Sequence, residues 1–162
     1  MTLTCGKSSP KDVLAKAKRD LKRLEAAEAA EESEQISDAV FDLAVGLTSL
    51  KDWLKKHPSK TFTAKDVESY WQSSSALSSF RDLANAGKHR IITDYTPTTT
   101  DTLTSAPSVP FTILEPMAKA VEHGKQYPRM KIIRDGIRHR AVDLGRVAID
   151  DCEAFMTRYR VA

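Results

Sequence analysis

Ile36, Val40, Leu43, Leu47, Leu50 and Leu54 recur at alternating intervals of four and three residues. On a helix this spacing makes one continuous apolar stripe, the seam of a helix lying at a shallow angle against another helix. Phe41, Ala44 and Trp53 widen the stripe, so more than one neighbour is expected. The element should stop at His57-Pro58, because a residue before proline resists the α region. A chain built on such an element is expected to be a helical bundle with this helix in the core. The same seam could instead join two copies, which leaves a homodimer open.

Flanking segments carry the same texture. Ser9-Pro10-Lys11-Asp12 unites an N-cap serine, a proline at the first helical position and an acid three residues after the cap. Leu14, Ala17, Leu21 and Leu24 then form a stripe, and this helix is expected to run to about Glu32. Its charges oppose the helix dipole: Lys11, Lys16, Lys18, Arg19, Lys22 and Arg23 crowd the N-terminal half, while Glu25, Glu28, Glu31 and Glu32 crowd the other. Thr63-Ala64-Lys65-Asp66 is a second capping box, opening a short helix with Val67, Tyr70 and Trp71. After Ser73-Ser74-Ser75, a fourth apolar face comprises Ala76, Leu77, Phe80, Leu83 and Ala84. Leu144, Ala148, Cys152, Phe155 and Tyr159 define a C-terminal helix.

Between these helices the texture turns to β. Ile91-Ile92 and Phe111 to Leu114 read as short strands, Thr96 to Pro110 as a mobile connection, and Pro116 to His123 as a two-turn helix closed by Gly124. Asp135-Gly136 between two apolar-basic runs signals a hairpin with a two-residue type I′ turn. The expected fold class is therefore α+β, mainly α: a four- to five-helix bundle with a small antiparallel hairpin or sheet in the C-terminal half. We read 1–162 as one helical domain with a β insertion at about 90–142.

Composition narrows the setting. With 162 residues, 41% apolar and 29% charged, the chain can bury a core unaided. A net charge of +3 demands no polyanionic partner, so any basic patch must be local. Cys5 and Cys152 make no zinc-type spacing and no disulfide framework, and the N-terminus lacks an apolar leader. No apolar run reaches the ~18 residues of a membrane span. These features point to a reducing, cytoplasmic setting with no membrane association. Cys152 lies on an apolar stripe and is read as a packed thiol. His57, His123 and His139 are scattered, so neither a metal nor another cofactor is expected.

The most unusual segment is Ser79-Phe80-Arg81-Asp82-Leu83-Ala84-Asn85-Ala86-Gly87-Lys88-His89-Arg90. If the helix continues through Gly87, Arg81, Asn85 and His89 share one face at i, i+4 and i+8. A guanidinium that binds phosphate and an imidazole that moves a proton suit metal-free cleavage of a phosphodiester. A straight helix sets the Arg81 and His89 Cα atoms ~12 Å apart, so a bend at Gly87 or a second subunit would have to bring them together. The simpler reading makes Gly87 the residue that ends the helix, with Lys88, His89 and Arg90 complementing its carbonyl end.

This segment also carries a family resemblance. Four amphipathic helices with Arg81-Asp82 followed by His89 resemble the HEPN domains, and Asp82 to His89 resembles an Asp-Leu/Ile-Ala-Asn-x-x-Lys-His signature of bacterial and phage-type proteins. The likeness covers about residues 35 to 90 plus the last helix. It implies metal-independent RNA cleavage, commonly at a dimer interface, with Arg81 on the scissile phosphate and His89 as acid or base beside Asn85. Lys88 would then join a nucleic-acid surface. The hairpin adds an independent hint, because its register places Lys131, Arg138 and Arg140 on one sheet face, which is either solvated or in contact with phosphate or an acidic protein. Two functions are therefore compatible with the sequence: RNA binding or cleavage, and a non-catalytic module that binds a protein partner or itself.

Overall fold

The computed structural model describes residues 6–58, 61–88, 99–104 and 129–161. Among the described residues five helices and three strands follow in the order α1 (Pro10–Ala29), α2 (Ser33–Lys55), α3 (Ala64–Ser73), α4 (Ser75–Lys88), β1 (Thr99–Thr104), β2 (Met130–Arg134), β3 (Ile137–Arg140) and α5 (Ala141–Arg158). The fold is mainly helical with a small antiparallel sheet.

The four-three seam occupies the middle. Ile36, Leu43, Leu47, Leu50 and Leu54 are fully buried, and α2 packs most extensively on α1, then on α4, α3 and α5. The seam is thus consumed within one chain. Ala44 joins the core and Trp53 packs against it, but Phe41 is 43% exposed and does not widen the buried stripe. Gly145 marks where α5 crosses α1 and α2, since a Cβ there would stand 2.9 Å from Leu21 Cδ1 and 3.0 Å from Leu43 Cδ2. Phe155 gathers Phe62, Tyr70, Trp71 and Tyr159 around the lower half of α5, with ring centroids 4.7 to 6.2 Å away.

Both expected capping boxes form, Ser9 with Asp12 and Thr63 with Asp66. The first helix ends at Ala29 rather than Glu32, because Glu31 takes a positive φ of 61° and starts the reversal. The amide of Glu31 donates to the Glu28 carbonyl and that of Glu32 to the Ala27 carbonyl, the paired bonds of a Schellman ending. Arg160, at φ 50°, ends α5 in the same way, with Val161 donating to Met156.

The sheet order is β1-β2-β3, all antiparallel, with Met130 and Ile132 of the central strand buried. Asp135 and Gly136 both have positive φ, 50° and 75°, as a type I′ turn requires. Thr99–Thr104 lies within the segment expected to be a mobile connection, yet it pairs with the outer edge of β2. Threonine is β-branched and favours extended backbone, and β2 otherwise leaves that edge without hydrogen bonds. The strands expected at Ile91-Ile92 and Phe111 to Leu114, and the helix at Pro116 to His123, lie outside the described residues.

Candidate functional site

α4 runs unbroken through Gly87 to Lys88, so Gly87 does not end the helix as the simpler reading required. Ala84 and Ala86 just before it favour the helix, and the cost of a glycine inside a helix is only ~1 kcal/mol. Arg81 and Asn85 therefore stand one turn apart on the same element, both half-buried. His89, the third member of the expected constellation, lies outside the described residues.

The Arg81 guanidinium is held by its neighbour. Its Nη2 and Nε approach Asp82 Oδ1 at 3.0 and 3.3 Å, and Asp82 is only 2% exposed. A buried carboxylate needs a cation or several donors to remain ionised, and here Arg81 supplies charge and hydrogen bonds together. A phosphate at this place would have to share a positive charge that Asp82 already offsets.

At the other end of α4, Arg134 reaches across from the hairpin. Its Nη1 donates to the Ser75 carbonyl at 2.6 Å, to Ser79 Oγ at 3.3 Å and to Ser78 Oγ. Ser74 donates to Asp151 and receives the Leu77 amide at 3.1 Å, while the Tyr70 hydroxyl donates to the Asp151 carbonyl at 3.0 Å. Burial and the charge of Asp151 hold the Tyr70 hydroxyl above its ordinary pKa. These contacts dock α3, α4, α5 and the hairpin to one another.

The register expected for the hairpin is present, Lys131 opposite Arg140 and Ile133 opposite Arg138. The three cations on that face are not equivalent. Arg140 turns to α1, where its Nη2 and Nε donate to Glu28 Oε2 at 2.6 and 2.9 Å. That hydrogen-bonded carboxylate raises the Arg140 pKa further and is itself 6% exposed. Arg138 is exposed and Lys131 half-buried, and neither meets a carboxylate among the described residues.

A different basic surface emerges on α1. Lys11, Lys18, Arg19 and Lys22 follow one outer face of the helix, and of these only Lys18 has a carboxylate partner among the described residues, Glu153 of α5. The residues selected from the sequence did not include this surface. The signal was the crowding of cations along α1, beginning with Lys11 in the first turn, where the dipole disfavours a positive charge.

Among the described residues no group of three His, Cys, Asp or Glu side chains could hold a metal ion, and no helix is long and apolar enough to cross a membrane. Cys152 is fully buried, and burial drives its thiol pKa far upward, away from thiolate chemistry. In comparison with known proteins, no family model, curated protein or solved structure matches this chain.

Proposed function

We propose that this chain is a non-catalytic helical binding module of the cytoplasm whose partner is acidic. The observation that carries this reading is a contrast in charge. Arg81, the cation nominated for catalysis, is offset by the buried Asp82, whereas Lys11, Arg19 and Lys22 stand along α1 with no carboxylate against them among the described residues. Lys11 stands in the first turn of α1, where the helix dipole favours an anion, at a cost in stability of a few tenths of a kcal/mol. A binding role gives that arrangement a purpose.

The reading is tested on the full chain with two measurements. Immobilised polyglutamate should retain the protein at low salt and release it as salt rises, and Lys11→Glu with Arg19→Glu and Lys22→Glu should abolish retention. Single-stranded RNA incubated with the protein in EDTA should stay intact. Cleavage that both Arg81→Lys and His89→Ala abolish would overturn the reading.

That second outcome belongs to a HEPN-like ribonuclease, the other reading that an observation favours. Continuity of α4 through Gly87 keeps Arg81 and Asn85 on one helix that leads directly to His89. Arg81→Lys is the better variant here, because alanine would remove both Arg81 hydrogen bonds to the buried Asp82 and confuse lost activity with lost folding.

A further inference from the structure

We propose that the groove between the N-terminal half of α1 and the C-terminal end of α5 is where this module docks an acidic amphipathic helix of its partner. The groove has a volume of about 420 Å³ and is open to solvent. Lys11, Lys18 and Arg160 stand on it against one carboxylate, Glu153, which is already paired with Lys18. The lining therefore carries an excess of positive charge, and an acidic occupant complements it.

Its lining is also apolar. Leu14, Met156 and Val161 contribute, and Ala15 opens space between the cations because its side chain ends at Cβ. A phosphate backbone would leave that apolar surface unused, whereas an amphipathic helix would insert a side chain there. Lys11, Lys18 and Lys22 extend the positive line over three helical turns, ~16 Å, which matches acids spaced at i, i+7 and i+11 on a helix laid alongside. Arg160 is held at φ 50°, a conformation that glycine adopts more readily, so the end of α5 carries a guanidinium where chain geometry asks for none.

The inference rests on the binding-module reading and fails separately from it. The probes are three fluorescein-labelled molecules at low salt: a helical peptide with leucines at i and i+4 flanked by glutamates, a permuted peptide of the same composition lacking an apolar face, and oligouridylate. Fluorescence anisotropy with the full chain should show saturable binding of the amphipathic peptide, at least about tenfold tighter than either control. Ala15→Tyr, which fills the groove from an exposed position, and Arg160→Gly should each weaken it about tenfold with an unchanged helical circular-dichroism spectrum. Equal binding of the permuted peptide or of oligouridylate would reduce the groove to a general polyanion surface and overturn the proposal. So would indifference to Ala15→Tyr, or absence of peptide binding while polyglutamate is still retained. RNA cleavage in EDTA would instead remove the module reading on which the groove depends.

Discussion

Two sets of cations on this chain are held in opposite ways. Arg81, Arg134 and Arg140 each meet a specific acceptor, respectively the buried Asp82, the serines of α4 and the buried Glu28. Lys11, Arg19 and Lys22 lie on the outer face of α1 and meet no acceptor among the described residues. The first set neutralises carboxylates and joins helices to the sheet; the second raises the local potential without improving the fold. Density of basic residues alone does not separate these roles. The presence of a specific acceptor does, a buried carboxylate for Arg81 and Arg140 and serine oxygens for Arg134.

The largest effect should come from the first set. Glu28 Oε2 takes both guanidinium bonds of Arg140, and Oε1 has no hydrogen-bond partner among the described residues. Arg140→Ala leaves that carboxylate buried with no side-chain donor among the described residues. A fully buried pair costs 3–5 kcal/mol to break, and because the Arg140 side chain is 37% exposed we expect about 2–3 kcal/mol. Thermal unfolding should fall by roughly 5–10 °C. Glu28→Met combined with Arg140→Met should recover most of the loss, since an apolar pair carries no desolvation penalty. Arg81→Ala should follow at about 1–3 kcal/mol, with Arg81→Lys retaining much of the stability. If the Arg140 and Arg81 variants melt like the parent, the distinction between held and free cations is wrong.

What the sequence revealed follows the same division. The core seam, both capping boxes, the type I′ turn and the hairpin register rest on local rules of spacing and backbone conformation, and all are present. Pairing partners were harder to read. Thr99–Thr104 becomes a strand only because β2 offers an edge from far along the chain. Arg140 looked like one of three equivalent hairpin cations, but the carboxylate that takes it is 112 residues away on α1. Gly87 was ambiguous because glycine both ends helices and, at modest cost, sits within them. The basic face of α1 left a visible trace, charges set against the dipole, whose meaning depends on which cations the fold leaves unpaired.

The second set should behave in the reverse sense. Lys11 occupies the first turn of α1, where a negative charge is favoured. Lys11→Glu should therefore raise stability by about 0.3–1 kcal/mol while weakening retention on polyglutamate. A variant that gains stability and loses binding is the pattern expected where a function works against local electrostatics. A variant that loses both would mean that Lys11 makes a structural contact and belongs with the held cations.

The smallest effect separates charge from hydrogen bonding at the same helix end. Asp12 accepts from the Ser8 amide and hydroxyl and from the Ser9 hydroxyl and amide, which hold its carboxyl at about 2, below the ordinary 3.8. Because the folded value is the lower one, its contribution is complete above pH 4 and disappears as pH falls through 2. Thermal melts of Asp12→Asn against the parent should converge over that interval and differ by a constant amount above it. Salt then sharpens the contrast. In about 1 M salt, screening should erase the gain from Lys11→Glu, which is purely coulombic, while the difference at Asp12 persists because it comes from hydrogen bonds to the helix cap.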